Sequence, residues 1–215
     1  PLTKGRAMKA VVAGGTGLVG KKLIHCLSQE NYITEIHSFA RRNIWQNNSK
    51  VKFHQVDFEK LVPRGEKFDL AFCCLGTTIK KAGSKEAFLA VDLEYVMNFA
   101  EYCKEAAVKS FSLVSSYGAN PKSFSFYSKT KGKVENDLSK LSFEKLWIYR
   151  PSLLIGERDE NRLAEDLGKK IYQHLGRSFW KPYLGTKADD LASLMAKNAL
   201  KNEGSKISIV GPTDI

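Results

Sequence analysis

Four residues near the middle of the chain could together move a proton. Tyr127 and Lys131 are four positions apart, so on a helix they share one face. A phenol is a weak acid at neutral pH, and a neighbouring ammonium favours its phenolate form. Ser115 and Ser116 end an apolar run, and the hydroxyl of one of them could hydrogen-bond the oxygen that exchanges the proton. This set is suited to general acid–base exchange between a carbonyl and an alcohol.

A glycine-rich turn near the start of the chain predicts where a hydride carrier would bind. The apolar run at 10–13 has the length and β-branched content of a buried strand, and a helical pattern begins at Leu18. Gly14, Gly17 and Gly20 lie between and within these elements, three residues apart. A strand, a glycine turn and a helix in this order form a pyrophosphate cradle, with the helix N-terminus facing the anion. The alternative is a glycine-rich turn without a ligand.

Two arginines follow the second predicted strand, Ile33–Ala40. In a Rossmann unit this strand end meets the adenosine ribose, and an acidic residue there binds the 2′-hydroxyl of NAD. Arg41 and Arg42 instead favour a 2′-phosphate, and one charge-assisted hydrogen bond contributes about 1.5–3 kcal/mol. We therefore predict NADP(H) as the cofactor, with Arg41 the better candidate. The alternative is a basic loop exposed to water.

The remaining pattern predicts an α/β fold, a Rossmann-fold doubly wound parallel sheet with a small C-terminal substrate or lid region. A third strand, Val51–Val56, ends at Asp57, which either meets the adenine edge or forms a turn. A long helix is predicted over 84–107 with an apolar stripe. The stripe consists of Phe88, Val91, Tyr95, Phe99 and Cys103. Further strands are predicted at 68–76, 110–115, 146–149 and 207–210, and helices near 124–135, at 162–175 and at 188–200. We expect one domain over 8–215, preceded by a disordered leader or cloning remnant at 1–7.

Composition narrows the function classes. The chain of 215 residues carries a formal net charge of +11, but its lysines are scattered and no nucleic-acid motif is present. No apolar run is long enough to span a bilayer, and no signal peptide is evident. The four cysteines show no disulfide or metal spacing, which favours reduced, buried thiols and a cytoplasmic location. The four histidines are spread through different elements without helical metal-ligand spacing, so we expect no metal site.

The motifs together resemble a known superfamily. The sequence GGTGLVG, the pair Ser115–Ser116, and Tyr127 with Lys131 are similar to the short-chain dehydrogenase/reductase superfamily, in its atypical, extended-like branch. Within it, the segments CCLGTTIKKAGS, LVSSYGAN, FYSKTKGKVE and YRPSLLIGERDENR resemble the Tat-interacting oxidoreductase-like proteins. Because the catalytic serine of the superfamily is usually the later of such a pair, we favour Ser116 over Ser115.

The resemblance implies a set of cofactor-binding residues in addition to the catalytic set Ser116, Tyr127 and Lys131. The expected NADP(H) contacts are Gly14, Thr16, Gly17, Leu18, Val19, Gly20, Arg41, Arg42, Asp57, Leu75, Gly76, Thr77, Tyr127, Lys131, Pro151, Leu153, Leu154 and Arg158. Backbone groups after Pro151 are expected near the nicotinamide carboxamide. The chain departs from the family at Phe39–Arg41 and in its carboxyl region, which leaves the substrate and the partners open.

The resemblance supports two functions. One is an NADPH-dependent oxidoreductase acting on a small carbonyl or alcohol substrate. The other is a regulatory or redox-sensing protein that binds NADPH with little turnover and acts on a protein partner. A basic nucleic-acid binder is a third and weaker hypothesis, whose signature would be a steep salt dependence of affinity. Homo-oligomerisation is left open.

Overall fold

The computed structural model describes residues 6–45, 48–63, 65–155, 185–201 and 205–215. The predicted helix at 162–175, and Arg158 among the expected cofactor contacts, lie outside these residues. In the part of the chain that is described, no helix is both long and apolar enough to cross a membrane.

Nine strands and six helices are present in the described residues. The strands are β1 Met8–Ala13, β2 Ile33–Ala40, β3 Val51–Gln55, β4 Leu70–Cys73, β5 Ser110–Val114, β6 Lys145–Tyr149, β7 Leu154–Ile155, β8 Thr186–Lys187 and β9 Ile207–Val210. The helices are α1 Leu18–Gln29, α2 Ile79–Ala82, α3 Lys85–Leu89, α4 Tyr95–Glu105, α5 Phe126–Lys140 and α6 Ala188–Ala199. A π-helical turn, Ala90–Glu94, joins α3 to α4.

Seven of the strands form one parallel sheet in the order β3-β2-β1-β4-β5-β6-β9. This confirms the predicted doubly wound Rossmann fold, in which ligands bind outside the carboxyl ends of the strands where the order reverses. Here the reversal lies between β1 and β4, which pair in register from Ala10 with Leu70 to Ala13 with Cys73. The glycine turn, the end of β4 and the end of β5 therefore meet at one edge of the sheet.

Both faces of the sheet are covered by helices, because its central strands alternate between two apolar cores. Ala10 and Val12 of β1 belong to the core under α1 and α6, whereas Val11 and Ala13 belong to the core under α4 and α5. This two-sided burial explains why the central strands are continuous apolar runs rather than alternating patterns. It also fixes α5, which carries Tyr127, against the sheet.

The long helix predicted over 84–107 begins as expected but changes phase in its middle. Ser84 accepts a hydrogen bond from the Ala87 amide and caps α3. The π-helical turn then inserts an extra residue, so the buried positions become Asp92 and Val96 instead of Val91 and Tyr95. Tyr95 is half-buried and still packs against the core, as predicted. The prediction was wrong at Val91, because a constant helical period does not continue through a π turn.

Candidate functional site

The glycine turn is shaped by two close approaches of the backbone. Gly14 has a φ of +78°, and a β-carbon there would lie 2.7 Å from the Cys74 carbonyl carbon. At Gly20 a β-carbon would lie 2.2 Å from the Gly14 carbonyl oxygen. Any side chain at either position would therefore displace the backbone, so the turn depends on glycine at both. The turn thereby rests directly on the end of β4.

The N-terminus of α1 fits an anionic group. Gly17 is its N-cap, with no side-chain hydrogen bond and no acidic residue in the first turn. The first amides of a helix have no partner within it, so they are available to a phosphate. A β-carbon at Gly17 would meet only the Gly14 carbonyl oxygen, at 3.3 Å, which leaves the outer side of this residue open. The side chain of Val19 is buried in the core, so Val19 can offer a ligand only its backbone.

Lys131 and Asp92 form a buried ion pair at the centre of the site. The Lys131 Nζ atom lies 2.6 Å from Asp92 Oδ1, and the two side chains are 6% and 0% exposed. Burial acts to lower the pKa of Lys131, but the charges of Asp92 and Tyr127 act in the opposite direction and raise the pKa above its ordinary value. The Asp92 carboxylate therefore favours the charged form of Lys131, which lies one helical turn after Tyr127 on α5.

The end of β4 connects this ion pair to the glycine turn. The Thr77 amide donates a hydrogen bond to Asp92 Oδ2 at 2.8 Å. A β-carbon at Gly76 would lie 3.5 Å from Asp92 Oδ1 and 3.7 Å from Lys131 Nζ. The segment Leu75–Thr77 thus runs from the glycine turn to the buried ion pair, and its contact with a cofactor stays a prediction.

Tyr127 lies in the first turn of α5, where the side chain is half-buried. Ser125 caps this helix by accepting a hydrogen bond from the Ser128 amide. The Tyr127 ring packs against Phe88, with ring centroids 5.5 Å apart. Tyr127 and Lys131 are thus one helical turn apart on the same helix, as the spacing predicted.

The two serines after β5 have different surroundings. Ser115 is buried, and its hydroxyl donates a hydrogen bond to Glu135. Glu135 also accepts hydrogen bonds from Arg150, with Nε to Oε1 at 3.0 Å. Ser116 is half-buried, and its hydroxyl donates to the Tyr117 carbonyl oxygen at 3.3 Å.

The adenosine end of the predicted site lies after β2 and β3. Arg41 and Arg42 are exposed, and no ion pair involves either of them within the described residues. Asp57 is also exposed and accepts a hydrogen bond from the Glu59 amide at 2.9 Å. Of the two roles predicted for Asp57, a turn and contact with the adenine edge, the structure shows the turn.

The segment after β6 closes the opposite side of the site. Pro151 is buried, and its carbonyl oxygen accepts a hydrogen bond from the Tyr117 amide at 2.8 Å. Leu153 is 49% exposed, and Leu154 is half-buried in the short strand β7. The loops after β5 and β6 are therefore joined next to Ser116.

Two residues of this site, Asp92 and Gly132, and the neighbouring buried carboxylate Glu135 were missed by sequence reasoning. Asp92 was hidden by the phase change in the helix, and Glu135 was not distinguished from a surface charge on α5. Gly132 was also overlooked, although a β-carbon there would lie 2.2 Å from the Pro121 nitrogen. It thereby allows the loop after Tyr117 to pack directly on α5. An acidic residue four positions after Phe88 in an apolar stripe was the available signal for Asp92.

The adjacent cysteines at the end of β4 are poor candidates for redox chemistry. Cys73 and Cys103 are buried, Cys26 and Cys74 are partly exposed, and all four are free thiols. Burial raises the pKa of Cys73 to about 12 and also raises the pKa of Cys74. Because the thiolate is the reactive form, these thiols are expected to be inert at neutral pH.

Comparison with known proteins agrees with this geometry. The sequence pattern of the NAD dependent epimerase/dehydratase family matches residues 10–173. Protein HTATIP2 of Rattus norvegicus is 35% identical over 178 residues, which cover 80% of this chain and 73% of that protein. Protein FMP52, mitochondrial, of Candida albicans is 33% identical and covers 97% of this chain and 96% of its own length.

Solved structures show the same fold at lower sequence identity. A short chain dehydrogenase family protein from Francisella tularensis superposes with a TM-score of 0.66 at 15% identity, covering 97% of this chain and 98% of that one. UDP-glucuronic acid 4-epimerase from Bacillus cereus, in complex with NAD, has a TM-score of 0.68 at 16% identity, covering 95% and 78%. With a family match over most of its length and a relative at 35% identity, this chain belongs to the NAD-dependent epimerase/dehydratase family.

Proposed function

We propose that this chain is an NADPH-dependent oxidoreductase that interconverts a small carbonyl compound and the corresponding alcohol. The observation that carries the proposal is the continuous contact from the glycine turn, along the end of β4, to the Lys131–Asp92 ion pair on the Tyr127 helix. This arrangement joins a phosphate-binding turn to a proton donor at the reversal of strand order.

Each polar residue of the site has a separate role in the proposed reaction. When bound, NADPH supplies the hydride that reduces the carbonyl carbon and becomes NADP⁺. Tyr127 donates its phenolic proton to the carbonyl oxygen, and solvent returns a proton to the phenolate. Lys131 stabilises that phenolate because its ammonium stays charged. Ser116 donates a hydrogen bond to the same oxygen, since Ser115 is already occupied by Glu135.

Asp92 acts as a positioning residue for Lys131. Its carboxylate is fully buried and contacts both the Lys131 ammonium and the Thr77 amide. The side chain of Lys131 is thereby held beside Gly76, where the nicotinamide ribose is expected. A partner of opposite charge also keeps the buried ammonium ionised.

We further propose that Arg41 selects NADP(H) over NAD(H). Its guanidinium follows the second strand and is exposed to the region where a 2′-phosphate is expected. A bidentate contact would favour NADPH roughly ten- to a hundredfold. Replacement Arg41→Ala should reduce that preference. Lys109→Ala removes an exposed charge just before the amino end of β5. This control should leave the preference for NADPH unchanged.

One observation favours the regulatory alternative. Asp92 compensates the charge of Lys131 inside the protein, which reduces the electrostatic help that Lys131 gives to the Tyr127 phenolate. Strong compensation would produce a protein that binds NADPH tightly but turns it over slowly. In that case NADPH would control the affinity for a protein partner.

The reduced cysteines are the basis for proposing a cytoplasmic location, which cell fractionation would test against the mitochondrion.

The two functions separate in one experiment. Purified protein is mixed with NADPH and a panel of small aldehydes and ketones, and NADPH oxidation is followed at steady state. The oxidoreductase proposal expects turnover with at least one compound, lowered about 10²–10⁴-fold in Tyr127→Phe with unchanged NADPH affinity. Tyr32→Phe is the matched control, because Tyr32 lies just before the amino end of β2, away from the carboxyl ends of the strands. Tight NADPH binding without turnover across the panel would favour the regulatory function.

A further inference from the structure

A second cluster of polar side chains lies away from the proposed active site, on the outer strands of the sheet. His37 of β2 and His54 of β3 lie on the same face, because β2 and β3 pair with Phe39 opposite His54. The two imidazole rings stack with their centroids 4.8 Å apart. Glu66, in the segment before β4, completes the cluster. One ligand atom from each of these three residues lies within 4.8 Å of the others.

The hydrogen bonding of His37 leaves one of its ring nitrogens available. His37 is 4% exposed, and its Nε2 lies 3.1 Å from Glu35 Oε2. Glu35 also pairs with Lys9 and Lys52, at 3.2 and 3.0 Å, so its carboxylate is an acceptor and Nε2 carries the proton. The Nδ1 atom then presents a lone pair, and among the described residues it has no hydrogen-bond partner.

The carboxylate of Glu66 places an acceptor beside that lone pair. His37 Nδ1 lies 3.8 Å from Glu66 Oε1, and the second oxygen of Glu66 is buried without a hydrogen bond in the described structure. A positive charge between these two groups would offset their repulsion, and either a proton on Nδ1 or a metal ion can provide it. A metal ion supplies that charge and also uses the lone pairs.

We propose that His37 Nδ1, His54 and Glu66 bind a divalent transition-metal ion of the zinc class. Two imidazole nitrogens and one carboxylate oxygen are ligands that zinc accepts, and three protein ligands leave one position for water. The contact of His37 with Glu35 has the form of the carboxylate–histidine pairs that orient metal ligands.

The site requires a modest rearrangement on binding. With bonds of about 2.0–2.1 Å, tetrahedral ligand atoms lie roughly 3.4 Å apart, so separations of up to 4.8 Å have to shorten by up to about 1.4 Å. The His54 ring also has to turn out of its stack on His37, because the in-plane lone pairs of two near-parallel rings do not converge on one ion. Glu66 is 31% exposed at its side chain, and His54 is only half-buried, so both can move. His37 is the fixed ligand, because it packs against Phe68 and is held by Glu35.

Metal binding would stabilise the connection between β3 and β4. His54 and Phe39 also line a cavity of about 100 Å³ beside Asp57 and Lys60, which belong to that connection. Glu66 lies near its other end. A metal ion held by all three ligands would therefore join β2, β3 and this connection, and would stabilise the folded state by an amount that rises with the logarithm of the free metal concentration above Kd.

Titration with Co²⁺, followed by displacement with Zn²⁺, tests the proposal on the full chain with its thiols reduced. We expect one Co²⁺ per chain, with the visible absorption of a four- or five-coordinate ion and no thiolate-to-cobalt band. Affinity should fall at least tenfold in Glu66→Gln and in His54→Gln, and remain unchanged in His25→Gln, an exposed histidine on α1. Zn²⁺ should raise the melting temperature of the wild type more than that of Glu66→Gln.

Three results would overturn the metal site. The first is the absence of stoichiometric Co²⁺ binding to the wild type. The second is an affinity that Glu66→Gln and His54→Gln leave unchanged. The third is a thiolate-to-cobalt band, which would assign the ion to cysteine. None of these readouts depends on NADPH or turnover, so the metal site and the oxidoreductase function can fail independently.

Discussion

Two buried carboxylates beside α5 show that one helix can support both a candidate site and the packing of the sheet. Asp92 contacts Lys131 and the Thr77 amide, next to the glycine turn. Glu135, one helical turn after Lys131, contacts Ser115 and Arg150. The first pair places a charge where a cofactor and substrate would lie. The second ties the ends of β5 and β6 to the helix.

Burial of an ionic group does not by itself identify a functional site. Both carboxylates are nearly inaccessible, at 0% for Asp92 and 6% for Glu135. They differ in what adjoins them, since only Asp92 lies against Gly76 and the strand end facing the glycine turn. The two pairs should therefore respond differently to removal of charge.

The largest expected effect on turnover within this comparison follows from Asp92→Asn. Without the carboxylate, Lys131 is less firmly held beside Gly76, and we expect kcat to fall roughly tenfold or more, within the range of general acid–base effects. The stability of the variant should also fall, because a buried ammonium loses its counter-charge. Steady-state kinetics, combined with an NADPH titration, separates an effect of the substitution on kcat from an effect on cofactor affinity. An unchanged kcat in a folded variant would exclude the positioning role.

Glu135→Gln should instead act mainly on stability. The amide keeps the shape but not the charge that Arg150 and Ser115 contact, so we expect unfolding free energy to fall by about 1–3 kcal/mol. Urea denaturation measures this loss. Lys140→Gln, on the exposed part of the same helix, is the control. A tenfold fall in kcat with unchanged stability would mean that the Glu135 pair belongs to the active site.

Substitution of the two serines provides a second, smaller test of which residues act on turnover and which act on stability. Ser116→Ala should lower kcat, because loss of one hydrogen bond raises the activation barrier by about 0.5–1.5 kcal/mol. The stability of the variant should change little. Ser115→Ala should lower stability by a similar amount and leave kcat nearly unchanged, because it removes the hydrogen bond to Glu135. The reverse assignment of these two effects would make Ser115 the catalytic serine.

The pH dependence of the Lys131 pair gives the smallest effect. The pKa of Lys131 is raised above 10.5 in the folded state, so the folded state binds this proton more tightly than the unfolded chain does. The stabilisation it contributes is complete below pH 10.5 and is lost as pH rises through the folded pKa. Denaturation of the wild type and of Lys131→Met/Asp92→Leu should show a stability difference that changes only in this alkaline range. A change near neutral pH would contradict the assignment.

Local patterns in the sequence were sufficient to predict the fold and the glycine turn after β1. The apolar run at 10–13, the three glycines and the helical pattern from Leu18 occur within a few residues, and each has a direct physical cause. The order of the sheet follows from the same patterns because parallel strands with helical crossovers have few arrangements. The strand Ile33–Ala40 and the strand Ile207–Val210 were confirmed at their predicted ends.

Contacts between distant segments could not be predicted in the same way. Asp92 reaches Lys131 only because a π-helical turn changes which residues are buried. Glu135 meets Arg150 through the packing of α5 against the strand ends, and His37 meets His54 through the pairing of β2 with β3. Each of these contacts depends on how elements lie against one another rather than on spacing along the chain.

The central claim is that the glycine turn binds NADPH, and Gly17→Ala tests it most directly. The backbone at Gly17, with φ −77°, suits alanine, and its β-carbon would meet only one atom at 3.3 Å, so the fold should persist. NADPH and NADH affinities are measured by tryptophan quenching for the wild type, Gly17→Ala and the distant control Gly211→Ala.

We expect tight NADPH binding and weak NADH binding by the wild type and by Gly211→Ala. Gly17→Ala should lower NADPH affinity at least tenfold with little change in melting temperature, because the added methyl group occupies the approach of the phosphates. If neither nucleotide binds the wild type, or if Gly17→Ala binds NADPH as tightly as the wild type does, the cofactor site proposed at this turn is contradicted.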